Sequence, residues 1–123
     1  MTFALRLILL ILLLSAPAAA QDVQFGTGPI CDTQKQTERV VALLDGGTET
    51  AIKVVNAEEN DPTACVVATV AYLRGPELAT ARGKAGSYQI VKILVVGLQT
   101  PTGILMTAPA AYFTILKVDE QEA

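Results

Sequence analysis

Three acidic side chains near the middle of the sequence are the first candidates for chemistry. Glu58, Glu59 and Asp61 lie close together along the chain. Two carboxylates in different surroundings can divide the roles of general acid and general base. However, Glu, Asn and Asp ahead of Pro62 are typical of a solvated turn. A small carboxylate-dependent enzyme is therefore an alternative hypothesis and not the leading one.

Other catalytic residue types are scarce. The sequence contains no His, and His is the commonest general base at neutral pH and a favoured zinc ligand. Beyond residue 20 the chain has a single Ser, Ser87. We therefore predict no catalytic residues, no metal site and no cofactor, which favours a non-enzymatic protein.

The two cysteines are predicted to form one structural disulfide. Cys31 and Cys65 are too far apart for the close spacing of a redox-active Cys-x-x-Cys pair. In an exported protein the default for two cysteines is a mutual bond. Closing the segment between them stabilises a fold by about 4 kcal/mol in the chain-entropy model. We expect this bond to join the start of the first helix to the strand that contains Cys65.

A basic group forms the candidate binding site. Arg74, Arg82 and Lys84 would bind an anion if they met at one end of the sheet, with Gly83 and Gly86 allowing close approach of backbone N–H groups. The alternative is an ordinary charged hairpin end. The sequence around Lys84 does not have the glycine spacing of a phosphate loop.

Aromatic residues offer a second candidate surface. Exposed aromatic side chains on strands can bind partners, but in such apolar strands core or sheet-edge packing is favoured. The final strand is the expected sheet edge, where a partner could add a strand. The residues concerned are Tyr72, Tyr88, Tyr112 and Phe113.

The N-terminus has the pattern of a signal peptide over residues 1–20. Arg6 precedes an uninterrupted run of Leu and Ile at 7–14, which is too short to span a membrane. Ala18 and Ala20 supply the small side chains expected before cleavage at Gln21. We expect a periplasmic or secreted product with no membrane span after cleavage.

The mature chain fits one acidic domain. Removing residues 1–20 takes away Arg6 and leaves eight basic against twelve acidic residues, a formal charge of −4. Nucleic acid is an unsuitable partner for such a charge. An envelope protein is the kind of partner that export suggests, although nothing in the sequence specifies one.

Two helical segments are predicted after an extended lead-in at 21–30. Thr33 and Gln36 have the spacing of a capping box, and apolar residues at helical spacing follow as far as Gly46. A second helix is predicted from Glu49 to Asn56 with Thr48 as its N-cap. The β-branched residues in that segment leave a strand as the alternative.

Strand patterns dominate the rest of the chain. Apolar runs predict strands at 64–73, 88–98 and 110–118, with a further start at 104–106. The strand at 88–98 is expected to be central and covered on both faces. Arg74, Gly75 and Pro76 form a turn signal that should end the strand at 64–73. Residues 119–123 should be an acidic tail.

Together these elements predict an α+β domain over residues 31–118. An N-terminal helix or helical hairpin should pack on a three- to four-stranded antiparallel meander with one disulfide. The leading functional hypothesis is an exported, non-enzymatic structural or binding module of the bacterial envelope. The alternatives are the carboxylate-dependent enzyme and an inhibitor of a secreted enzyme.

Overall fold

The computed structural model describes residues 22–117 of the 123-residue chain. The predicted signal peptide at 1–20, its cleavage site before Gln21 and the acidic tail at 119–123 lie outside the described residues. No helix in the described range is long and apolar enough to cross a membrane.

The described residues form two α-helices and four antiparallel strands. This confirms the broad α+β class, but the helices are not N-terminal. A strand precedes them, formed by most of the segment expected to be a lead-in at 21–30. The order is β1 (Gln24–Cys31), α1 (Gln34–Leu43), a 3-10 turn (Leu44–Gly46), α2 (Thr48–Glu58), β2 (Cys65–Gly83), β3 (Gly86–Thr100) and β4 (Gly103–Lys117).

The sheet closes on itself because β1 lies between β2 and β4. It pairs with β2 along its whole length, whereas its described pairing with β4 consists of Ile30 opposite Thr114 and Cys31 opposite Phe113. The Thr114 hydroxyl also donates a hydrogen bond to the carbonyl of Pro29 at 2.7 Å. The seam between the first and last strands is therefore short: β1 ends at Cys31, and its residues before Ile30 have no described partner in β4.

The second strand is longer than the sequence predicts. The segment 74–76 does not end β2, which continues to Gly83 through register shifts between Arg74 and Ala79. Such irregularities accommodate Pro76, which has no N–H to donate to a regular ladder. Gly75 lies so close to the Lys92 carbonyl that an added Cβ would come within 2.5 Å of its oxygen.

The first helix starts as predicted. The Thr33 side chain accepts a hydrogen bond from the Gln36 N–H at 3.2 Å, and the Gln36 side chain accepts one from the Thr33 N–H at 3.0 Å. The segment that contains residues 49–56 is a helix and not a strand. Its N-cap is Gly47, with a φ of 95°, so Thr48 is the first helical residue and not the cap.

The disulfide belongs to one of two clusters of buried residues. Cys31 and Cys65 are directly opposite each other in the β1–β2 ladder and are bonded. The bond therefore joins two neighbouring strands, rather than joining α1 to a strand as expected. Val40, Ala51, Ile52 and Val55 of the helices pack around it, and a second cluster fills the interior of the sheet: Ile30, Val70, Val91, Ile93 and Val95.

The third strand is central, but it is not covered throughout on both faces. Ile90, Val91, Ile93 and Val95 are buried, whereas Lys92 and Leu94 alternate with them and are exposed. The outer surface of this part of the sheet is therefore open to solvent. The helices pack on other parts of the sheet, at the disulfide and near Gly83, where an added Cβ would collide with the Val41 carbonyl.

Candidate functional site

The acidic residues near the middle of the sequence make structural contacts. Glu58, at the end of α2, forms two hydrogen bonds of 3.0 Å with the guanidinium of Arg39 on α1. The Asp61 carboxylate accepts hydrogen bonds from the backbone N–H and hydroxyl of Thr63. Hydrogen bonding from Arg39 lowers the pKa of Glu58. Glu58 is thus held as a carboxylate at neutral pH, which does not suit a general acid.

The basic residues do not share one place in the fold. Arg74 lies opposite Ile93 in the middle of β2, whereas Arg82 lies opposite Ser87 beside the β2–β3 turn. Arg82 follows Arg74 by eight positions along the strand, and a strand rises roughly 3.3 Å per residue. Lys84 lies in the turn itself. The hairpin end therefore brings Lys84 near Arg82 but leaves Arg74 apart from both.

The site that the structure does form is an open cavity of about 380 Å³ at one end of the closed sheet. We call it the hairpin-end cavity, because the β3–β4 hairpin provides one of its sides. Its volume lies within the range typical of small-molecule sites, and its lining is mostly apolar. It is lined by Ile30, Asp32, Thr63, Val66, Ala68, Val70, Val95, Leu98, Thr107, Ala108, Ala110 and Tyr112.

The strand registers explain why these side chains converge. Residues directly opposite each other on neighbouring strands point to the same face of a sheet. The alternation along β2 then directs every second side chain inward. Three opposed pairs line the cavity: Ile30 with Val66, Val70 with Leu98, and Val95 with Ala110.

A bulge in the last strand widens the cavity. Val95 lies opposite Ala110 and Gly97 lies opposite Met106, so the segment 107–109 faces a single residue of β3. Extra residues on one strand bend it away from its partner. Thr107 and Ala108 of this bulge line the cavity. The bend thus helps to keep the end of the sheet open.

The exposed rim of the cavity carries two of its polar residues. Asp32 and Thr63 are both exposed, and Asp32 donates its backbone N–H to the Ala64 carbonyl at 2.9 Å. Partial desolvation raises the pKa of the Asp32 carboxyl, and the negative charge of Asp61 raises it further. Asp32 is the one charged residue among those that line the cavity within the described range.

Beside the cavity the end of the β3–β4 hairpin exposes large apolar side chains on both of its faces. Leu98 and Leu105 are opposite each other and are 39% and 58% exposed. On the other face, Ile104 and Met106 are 42% and 68% exposed. The segment 93–116 contains no charged residue. The cavity therefore opens beside an uncharged, apolar surface.

No protein-family model, curated protein or solved structure matches this chain. The chemistry of the site therefore rests on the residues of the chain itself. Between residues 22 and 117 no group of three or more His, Cys, Asp or Glu side chains is placed to hold a metal ion. The hairpin-end cavity offers a ligand mostly apolar contact, together with the carboxylate of Asp32 and the polar residues Thr63, Thr107 and Tyr112.

Little in the sequence indicated this cavity. Val66, Ala68 and Val70 line the cavity. Val67, between the first two of these, and Ala71, directly after the third, are also apolar. The run therefore showed no polar alternation that would distinguish an inner face from an outer one. The aromatic residues gave a partial signal, because Tyr72 and Tyr112 pack against the interior cluster and Tyr112 also lines the cavity.

Proposed function

We propose that this chain is a small exported, non-enzymatic module that binds an apolar ligand in the hairpin-end cavity. The observation that supports the proposal is an open space of about 380 Å³ with apolar walls and polar groups at its rim. An apolar ligand would gain roughly 25 cal/mol for each Å² of its surface removed from water. The scarcity of catalytic residue types in the sequence favours binding without turnover.

Export is supported by two features of the chain. The apolar run at 7–14 followed by small residues is typical of a signal peptide. The disulfide between Cys31 and Cys65 is compatible with an oxidising compartment outside the cytoplasm. Intact mass of the secreted protein, with and without reductant and alkylation, tests both together. The expected mass begins at Gln21 with both cysteines oxidised, and an uncleaved or reduced protein would refute export.

Binding is tested with N-phenyl-1-naphthylamine, an uncharged dye whose fluorescence increases in apolar surroundings. The expected result is saturable binding to the mature protein. Replacing Ala110, which lines the cavity, by Leu places a larger side chain where the dye should lie. We expect Ala110→Leu to weaken binding by about tenfold, the size of effect that a few methylene groups produce in an apolar site.

Ala111→Leu is the matched control. It makes the same change at the next residue of β4, where the side chain is exposed on the opposite face of the strand. This variant should bind the dye like the unmodified protein. Thermal melts of both variants check that they fold. If the two folded variants bind alike, the dye is held elsewhere and the proposal is wrong.

A further inference from the structure

We propose that the hairpin-end cavity selects an apolar chain that carries a positively charged group, and that Asp32 at the rim holds this group. The inference rests on the proposed function, because it names the class of ligand for the same cavity. It follows from the charges around the cavity and from where they lie.

The walls and the rim make different demands on a ligand. The walls contributed by Val66, Val70, Val95 and Leu98 offer no charge and can contact only an apolar chain. Asp32 lies on the exposed rim of the same cavity. A ligand that matches both regions has an apolar part and a charged end, and the carboxylate makes the matching charge positive.

The carboxylate of Asp32 is not neutralised by the protein. Within residues 22–117 it makes no ion pair; the ion pair found there joins Arg39 to Glu58. Asp61 adds negative charge near Asp32, and Thr63, which lines the cavity, donates its backbone N–H to the Asp61 carboxylate. Lys53 shares a separate surface depression with Asp61 and does not line this cavity.

A cation at the rim would relieve an existing repulsion. The charged form of Asp32, which desolvation and the nearby Asp61 disfavour, gains when a positive group approaches, and the gain is larger beside apolar walls than in bulk water. An anionic head group would increase the repulsion, and a neutral one would leave it unchanged. Among ligands with the same apolar chain, we therefore expect the affinity to be highest for a cationic head group, lower for a neutral one and lowest for an anionic one.

Three ligands that share one alkyl chain test this order. Octylamine is protonated at pH 7, as an alkyl ammonium group like that of Lys is, whereas octanol is neutral and octanoate is anionic. We expect calorimetric titration of the mature protein to give the tightest binding for octylamine, by about two- to fivefold over octanol, the effect of a partly exposed ion pair. Octanoate should bind most weakly.

Variants of Asp32 identify the group responsible. Asp32→Asn should remove the preference for octylamine over octanol while octanol binding stays the same, and Asp32→Glu should retain the preference. Asp45→Asn removes one negative charge from the turn between the helices and should leave the preference intact. Raising the ionic strength should reduce the preference in the unmodified protein, because salt screens exposed charges.

The outcomes separate this inference from the proposed function. If octanol binds as tightly as octylamine, or if Asp32→Asn keeps the full preference, the role of Asp32 is refuted and the apolar site stands. If none of the three ligands binds, the proposed function itself fails. Thermal melts of each variant show whether a loss of preference reflects the site or a loss of folding.

Discussion

Thr114 of the last strand donates its hydroxyl to the Pro29 carbonyl of the first strand at 2.7 Å, across 85 positions of sequence. This bond lies at the short seam that closes the sheet, beside the pairs Ile30–Thr114 and Cys31–Phe113. The cavity lies beyond this seam, where β1 has ended at Cys31 and β4 continues through Tyr112 and Ala110. The contacts that close the sheet are therefore neighbours of the cavity lining.

Replacing Thr114 by Val tests the seam. The variant keeps the shape of the side chain but leaves the Pro29 carbonyl without its partner, so we expect a loss of about 1 to 3 kcal/mol in the free energy of unfolding. Urea denaturation measures this loss. Thr80→Val, on an exposed part of β2, makes the same chemical change and should have little effect. Equal stability of the two variants would contradict the role of Thr114.

Gly83 is expected to tolerate no side chain. An added Cβ would collide with the Val41 carbonyl, so the end of the β2–β3 hairpin would have to move away from α1. We expect Gly83→Ala to destabilise the protein by about 1 to 3 kcal/mol, as overpacking does. Gly28→Ala is the control, because no atom lies within 4 Å of the added Cβ. That variant should be neutral, or more stable by up to about 1 kcal/mol, and the reverse order in chemical denaturation would refute this account.

Asn56 connects the end of α2 to the start of β2. Its side chain donates to the carbonyls of Pro62 and Cys65 at 2.9 and 3.0 Å and accepts from the Cys65 N–H at 2.8 Å. Asn56→Ala leaves these groups unpaired, and we expect it to cost about 2 to 3 kcal/mol of unfolding free energy. Lys53→Ala, on an exposed position of the same helix, should cost much less. A similar urea midpoint for the two variants would show that the connection is unimportant.

Asp32 should make stability depend on pH in an unusual direction. Its pKa is raised in the folded protein, so ionisation of Asp32 favours the unfolded state. The resulting destabilisation is present above the folded pKa and disappears as the pH falls below the unfolded pKa. We therefore expect Asp32→Asn to raise the melting temperature near pH 7 and to have no effect near pH 3. Asp45→Asn serves as the control for simple loss of negative charge, and a rise that persists in acid would contradict this explanation.

Local sequence signals were enough to predict several elements. Thr33 and Gln36 mark the first helix by side chains that bond to their own backbone, so no distant contact is needed to recognise it. The apolar, β-branched residues of 88–98 likewise predict a strand by themselves. The disulfide followed from the number of cysteines and the expected compartment, although its place in the β1–β2 ladder did not.

Features that depend on distant contacts could not be predicted. β1 contains Gly26, Gly28 and Pro29, and these residue types are uncommon in strands. The segment is a strand because it pairs with β2 and β4. The cavity depends on this closure and on the bulge at 107–109. The anion-site hypothesis assumed that Arg74 lay near the hairpin end, but the continuation of β2 beyond Pro76 places it in the middle of a strand.

The bulge at 107–109 also affects how copies of this protein meet one another. Beyond the seam, β4 has no second neighbouring strand among the described residues, so its outer backbone groups are free beside an apolar, uncharged hairpin. Such an edge is a template for ordered aggregation. Pro109 has no backbone N–H to donate to another strand. The bend in β4 also prevents the regular, straight strand pairing that a stacked copy would need. We therefore expect the irregularity in β4 also to hinder fibril growth along this edge in a concentrated solution of the protein.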